Sequence, residues 1–299
     1  MMMIKNRQKT QVRIFYGPAV FFLILLINLV ACRQEAKWPG LAVNAEFSER
    51  ELTDYLVTKL KLKFITTSDF KAPDQAWKFI AEADHENRLV FREEFVVQPS
   101  PETWLPGHVY ESEKYAFIPA FIDKFKPEFN RGARLSFQVY AENGKKEKIS
   151  LYQRTLKLKP YPMEIPDVLY LDGWEKAGPS GPTDRFGQTE LWTTERATCL
   201  IRNPGKSSRL MIRGESLASQ TDRQNLLIYL EDRLLDVLQL ERGLFQKVYE
   251  LSPEDLGKNR EIKLSLAVDQ TFPLESRDGE KESGRRVGVK INTIYLRAK

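Results

Sequence analysis

Hydrophobic and polar residues alternate with a period of two along much of the chain. In residues 55–65, leucines and a phenylalanine alternate with lysines, and similar alternation recurs in residues 76–84, 134–142 and 149–159. This period places alternate side chains on opposite faces of a strand, one buried and one wet. Turn-forming residues separate the runs, among them Asn143-Gly144. The first half of the chain is therefore predicted to be an all-β sandwich.

The same strand pattern resumes in the last third of the chain, after a segment rich in proline and glycine. Residues 225–240, NLLIYLEDRLLDVLQL, have leucine spacings that would also fit a helix. The charged triplet 231–233 in their middle is typical of a turn, so a hairpin of two strands is favoured. We therefore predict two tandem β-sandwiches in one all-β chain.

The N-terminus has the order of an export signal. Residues 1–13 carry four basic residues and no acidic one, and residues 15–31 are almost wholly apolar. Leu29 to Cys32 resemble the lipobox of bacterial lipoproteins, which implies cleavage before Cys32 and lipidation of its thiol. The alternative is an uncleaved anchor helix with an incidental cysteine. Both tether the chain to a membrane.

These features predict five segments. They are a signal peptide at 1–31, a lipidated tether at 32–50, an immunoglobulin-like sandwich at 51–160, a Pro/Gly-rich linker at 161–182 and a jelly-roll-like sandwich at 183–299. The linker leaves open whether the two sandwiches hold a fixed angle.

The charge of the chain changes once the signal is removed. The chain has 46 basic and 41 acidic residues, and removing the four basic residues of the signal leaves 42 against 41. A nearly neutral mature protein without a basic stripe is not expected to bind nucleic acid. Besides Cys32 only Cys199 is present, so no disulfide framework is predicted, and Cys199 is interpreted as a buried small hydrophobe.

No motif predicts catalysis, a metal or a cofactor. The chain has two histidines and no HExxH, CxxC or GxSxG spacing. Adjacent carboxylates such as Glu93-Glu94 face opposite sides of a strand and do not readily flank one glycosidic bond. We therefore predict no catalytic residue, no metal site and no cofactor.

Tryptophans near turns are the candidate ligand-binding residues. Trp104, Trp174 and Trp192 all fall near turns or strand ends, where binding residues concentrate. Exposed there, their rings would stack on the apolar faces of sugars. The alternative is that they plug the ends of the sandwich cores, since aromatic side chains bury large areas.

The first half resembles an immunoglobulin-like sandwich found beside bacterial envelope glycosyltransferases and in surface proteins. The matching marks are Asp84-His85, residues 104–107 (WLPG) and residues 135–140 (LSFQVY). The resemblance implies a non-enzymatic module of the cell envelope.

The second half is similar to the jelly-roll sandwiches that often follow that module. The marks are residues 173–175, 191–193, 272–273 and 285–289. This resemblance makes Arg285 a further candidate ligand-binding residue. An acidic residue usually precedes this arginine and glycine motif, and here Ser283 or Gly284 takes its place after the charged insertion ESRDGEKE.

Together these observations predict a lipid-anchored, non-enzymatic envelope protein that binds surface glycans or polysaccharide machinery. The alternative is a structural lipoprotein that docks an envelope complex through a sandwich edge or domain junction, and a hydrolase is the third hypothesis. Arg33 follows the lipidated cysteine where Asp would signal inner-membrane retention, so in a Gram-negative organism the outer membrane is favoured.

Overall fold

The computed structural model describes residues 38–122, 132–161, 168–176, 191–218, 223–275 and 281–299, with the side chains of 176, 274, 275 and 281–285 excepted. Its chain is all-β, as predicted. The first sandwich has two sheets. Sheet I has the order β1 (Leu41–Phe47), β3 (Leu56–Thr66), β6 (Val109–Ile118), and sheet II has the order β2 (Leu52–Thr53), β8 (Lys148–Lys159), β7 (Ala133–Asn143), β4 (Trp77–His85), β5 (Arg88–Phe95).

The first sandwich has the immunoglobulin-like arrangement of two mainly antiparallel sheets with strands crossing between them. The chain leaves sheet I after β1, and the short β2 pairs in parallel with the end of β8 in sheet II. The predicted alternation in β3 is confirmed, because Leu60, Leu62 and Phe64 are fully buried between the sheets. A single-turn 3-10 helix, Pro101–Thr103, precedes β6.

The second sandwich packs two five-stranded sheets. Sheet III has the order β10 (Trp174–Lys176), β11 (Leu191–Thr193), β20 (Val289–Ala298), β13 (Ser208–Ser216), β16 (Gly243–Leu251). Sheet IV has the order β15 (Arg233–Leu240), β14 (Gln224–Leu230), β17 (Glu261–Val268), β12 (Arg196–Arg202), β9 (Val168–Tyr170). A two-stranded ribbon, β18 (Phe272–Glu275) with β19 (Lys281–Val287), and the four-residue helix α1 (Pro253–Leu256) complete it.

Successive strands of the second sandwich cross repeatedly between its sheets, as in jelly-roll folds. The hairpin predicted at 225–240 is confirmed: Glu231 and Asp232 both have positive φ, +49° and +64°, in the two-residue turn between β14 and β15. Cys199 is free and fully buried, and burial raises the pKa of its thiol to about 12. This fits its interpretation as a buried small hydrophobe.

A third apolar cluster lies between the two sandwiches. Tyr55, Val57 and Phe117 of the first sandwich pack on Met211 and Tyr295 of the second. Met211 alternates with inward-facing neighbours on β13, so it points outward from sheet III. The outer face of sheet I therefore packs on the outer face of sheet III, and four sheets stack in the order II, I, III, IV.

Arginines of sheet III complete this joint. The Arg209 guanidinium donates to Glu49 (3.1 Å), to Glu250 (3.0 Å) and to the carbonyl oxygen of Val57. Its side chain is only 15% exposed. These bonds satisfy a largely buried charge, as burial requires. The angle that the sequence leaves open is thus set by a buried interface.

Two segment boundaries need correction. β1 lies within residues 32–50, assigned above to the tether, and it pairs with β3 along its whole length. β9 and β10 lie within residues 161–182, assigned to the linker, and they are edge strands of sheets IV and III. β9 and β10 have three residues each, too few to show a period of two.

Candidate functional site

Trp104 is not a ligand platform, contrary to the sequence hypothesis. It is 2% exposed, and its indole N–H donates to the carbonyl oxygen of Pro99 at 2.7 Å. Phe79 and Tyr110 both stack on its ring with interplanar angles of 5°, at centroid distances of 5.7 and 4.5 Å. No ring face remains for a sugar, so Trp104 closes one end of the first core instead.

Trp174 and Trp192 do not form a common site. In the β10–β11 pair Trp174 lies opposite Thr193 and Trp192 opposite Glu175, so the two indoles point to opposite faces. Trp192 is 6% exposed and therefore also lacks the exposed ring that the sequence hypothesis required.

Trp174 is partly buried and held in place at the edge of the second core. Its indole N–H donates to the carbonyl oxygen of Thr198 at 2.6 Å, and its ring packs edge-on against Tyr170. Gly173 has φ +79°, and a Cβ there would lie 1.8 Å from the carbonyl oxygen of Arg196. The side chain of Arg285, the fourth candidate, lies outside the described residues.

The first sandwich carries a cleft of about 720 Å³ at its open edge. One wall is formed by residues 45–47 and 49–52, which belong to β1 and the connection to β2, and the other by residues 154–159 of β8. Here β1 and β8 lie side by side in different sheets without pairing, and β2 pairs with only the last two residues of β8. The volume is within the usual range of small-molecule and oligosaccharide pockets.

Arg154 is the most unusual residue of this cleft. It lies opposite Phe137 on β8, so it shares the inward face of sheet II with core leucines. Its guanidinium lies 5.5 Å from the ring centroid of Phe47, 5.9 Å from that of Phe137 and 5.8 Å from that of Tyr152. Its Nε is buried and has no hydrogen-bond partner among the described residues.

The acidic residues of the cleft are largely neutralised. Glu49 pairs with Arg209 at 3.1 Å, and Glu51 pairs with Lys159 at 2.8 Å. Glu46 is exposed and alternates with inward-facing neighbours on β1, so it points to the outer side of sheet I. The acids therefore contribute little negative charge to the interior of the cleft.

The basic residues of the cleft are not neutralised in the same way. Within the described ranges, no carboxylate lies at salt-bridge distance from Arg50, Arg154 or Lys157. Lys157 is exposed and alternates with buried leucines of β8, so like Glu46 it points away from the interior. Arg50 and Arg154 therefore make the potential of the cleft positive.

The sequence itself contains a signal for this site. In residues 149–159 the alternation that places Leu156 and Leu158 in the core places Arg154 in the core as well. A charge at an inward position of a strand is the anomaly to look for, because a buried charge is costly without a partner. Phe47 was missed because it lies in the segment assigned to the tether.

Two further features are absent from the described residues. None of their helices is long and apolar enough to span a membrane, and none of their His, Cys, Asp and Glu side chains form a group of three able to hold a metal ion.

Comparison with known proteins gives no family. No family model matches the chain, and no curated protein matches it. Among solved structures it is similar to the secreted serine protease VesC from Vibrio cholerae, at 10% identity and a TM-score of 0.26, over 93% of this chain and 54% of that one. The chain thus spans about half of the length of the protease chain.

Two other similar structures are a protein from a xyloglucan utilization locus and a collagen adhesin. SGBP-B from a complex xyloglucan utilization locus in Bacteroides uniformis has 8% identity and a TM-score of 0.31, over 87% of this chain and 73% of that one. The collagen adhesin CNA from S. aureus has 8% identity and a TM-score of 0.20, over 89% of this chain and 99% of that one. Likenesses of this size say nothing about ligand or activity.

Proposed function

We propose that this chain is a lipid-anchored, non-enzymatic binding module of the bacterial cell envelope, whose open-edge cleft holds a surface glycan. The cleft is the observation that carries the proposal. It combines the partly buried aromatic ring of Phe47 with hydrogen-bonding groups of Arg50, Arg154 and Thr155. Aromatic faces stack on the C–H faces of sugars while planar polar side chains bond their hydroxyl groups.

The lipid anchor is part of this proposal and rests on the sequence. The lipobox resemblance assigns a thioether-linked lipid to Cys32, and acyl chains hold a protein at a membrane because each buried methylene contributes about 0.8 kcal/mol. We expect wild-type protein in the membrane fraction and the Cys32→Ser variant shifted toward the soluble fraction. An unchanged distribution together with an unmodified Cys32 peptide in mass spectrometry would rule out the lipid.

The binding proposal is tested with the full chain, purified in detergent and screened against envelope polysaccharides and a glycan array. Saturable binding is expected to weaken roughly 10-fold in Phe47→Ala, because one stacking face is lost. The matched control is Trp174→Ala in the second sandwich, which is expected to bind like wild type. Phe47→Leu keeps the core filled and separates lost stacking from unfolding, which circular dichroism checks directly.

Three results would contradict the proposal. No saturable binding by folded protein would exclude the glycan ligand and favour a protein-docking lipoprotein. Loss of binding in Trp174→Ala with retention in Phe47→Ala would move the site to the second sandwich. Turnover of a bound glycan would make the protein an enzyme.

A further inference from the structure

The charged residues of the cleft indicate which class of ligand it would bind. Arg154 points inward over aromatic rings, and its guanidinium has no carboxylate partner among the described residues. Arg50 and Lys157 line the same cleft without carboxylate partners in that part of the chain. Resting on the function proposed above, we propose that the cleft selects acidic glycans and that Arg154 binds an oxyanion carried by a sugar ring.

The observed arrangement of Arg154 is energetically unfavourable. A half-buried guanidinium loses part of its hydration, and a buried donor left without a partner is destabilising. Arg209 in the joint recovers this cost through Glu49, Glu250 and a carbonyl oxygen. Arg154 has only ring contacts to offset it.

The geometry of the Arg154 guanidinium also suits an oxyanion. Guanidinium presents its N–H donors in a rigid plane, which matches the two oxygens of a carboxylate or those of a sulfate or phosphate. Phe47 and Tyr152 lie about as far from the Arg154 guanidinium as rings in cation–π contact do. Of these two rings Phe47 lines the cleft, so an acidic sugar with its oxyanion on Arg154 would have its own ring beside Phe47.

A purely structural role for Arg154 makes a different prediction. An inward-pointing charge on an edge strand protects that edge from pairing with another chain. This role needs only the charge, so Arg154→Lys would preserve it. Recognition of an oxyanion by a planar fork would instead be weakened by that substitution.

The test compares ligands that differ in charge. The probes are hexasaccharides of galacturonate and of mannuronate, the same hexasaccharides with their carboxyl groups reduced to alcohols, and a sulfated galactan hexasaccharide. Their binding to the full-length wild-type protein is measured by isothermal titration calorimetry at low and high salt. Comparison of the carboxylated with the sulfated hexasaccharides shows which of the two groups supplies the oxyanion.

We expect at least one acidic hexasaccharide to bind about 10- to 100-fold more tightly than its neutral form, the range of one charge-assisted hydrogen-bond pair. Arg154→Gln is expected to remove this preference, Arg154→Lys to weaken it, and high salt to reduce it. Arg202→Gln, which removes an exposed arginine of β12 in the second sandwich, makes the same change in net charge and is expected to leave the preference intact.

The outcomes separate the two proposals. Equal binding of acidic and neutral forms overturns the charge preference and leaves the glycan-binding function standing. A preference that persists in Arg154→Gln overturns the role of Arg154. Binding of neither form overturns the charge preference, and it overturns the glycan-binding function as well only if the polysaccharide and array screen also finds no ligand.

Discussion

Arginines lie against aromatic rings both in the joint between the sandwiches and in the cleft, and their partners differ. In the joint, Arg297 lies 4.3 Å from the ring centroid of Tyr161 and also donates to Thr53 and to the carbonyl oxygen of Tyr55, both at 3.1 Å. In the cleft, Arg154 has ring contacts alone among the described residues. The arginines of the joint are thus hydrogen-bonded within the chain, whereas Arg154 in the cleft keeps hydrogen-bonding capacity for another molecule.

The difference shows how the same residue types serve two purposes. A charge whose donors are all used within the chain contributes to stability, because removing it leaves its partners unpaired. A charge with unused donors contributes little to stability and is available for recognition. Substitution of a joint arginine should therefore lower the free energy of unfolding, whereas substitution of Arg154 in the cleft should weaken ligand binding and leave stability nearly unchanged.

The largest effect is expected for Arg209→Ala. The substitution leaves Glu49, Glu250 and a carbonyl oxygen without their partner, and breaking a buried pair costs about 3–5 kcal/mol. The free energy of unfolding, measured by urea denaturation, should fall by about that amount. Arg202→Ala is the matched control and should change it by less than about 0.5 kcal/mol. Equal effects of the two substitutions would show that the contacts of Arg209 add nothing to stability.

Acidification of the joint is expected to lower the free energy of unfolding by less than Arg209→Ala does. Partial burial alone would raise the pKa of Glu250, but hydrogen bonds from Lys299, Tyr115 and Arg209 outweigh it and lower the pKa from 4.5 to about 2. Since the folded-state pKa is depressed, this carboxylate stabilises the fold fully above about pH 4.5, and the contribution is lost as the pH falls toward 2.

The measurement is the urea midpoint as a function of pH in that window, for wild type and for Glu250→Gln. The glutamine variant should lose less stability on acidification, because it has no proton to take up. If the urea midpoints of the two proteins fell in parallel with pH, Glu250 would not contribute to the acid sensitivity of the joint.

The smallest effect on stability is expected for Arg154→Met. The substitution removes cation–π contacts of about 0.5–1 kcal/mol but also removes a half-buried charge with an unpartnered donor. The two changes oppose each other, so the free energy of unfolding should stay within about 1 kcal/mol of wild type. A loss as large as that of Arg209→Ala would mean that Arg154 is structural, and the contrast between joint and cleft would fail.

The sequence predicts the sandwiches better than it predicts what lies between and beside them. Alternation over eleven residues identifies β3 and its buried face, because period two follows from strand geometry alone. The joint escapes prediction, since Met211 and Tyr295 sit at outward positions, and one sequence does not say that another sheet will cover them. The tryptophans were misjudged because proximity to turns does not report exposure: Trp104 and Trp192 lie near turns and are nevertheless buried.

The stacking of four sheets has a consequence for how the chain can be divided. Sheet III is covered on both faces, by sheet IV on one side and by sheet I on the other. Separated from its neighbour, the second sandwich would present Met211, Tyr295 and the stems of Arg209 and Arg297 to water, an apolar patch of the kind that promotes aggregation. The two sandwiches are therefore separate in topology, but we expect them to stay soluble and to unfold cooperatively only as a pair.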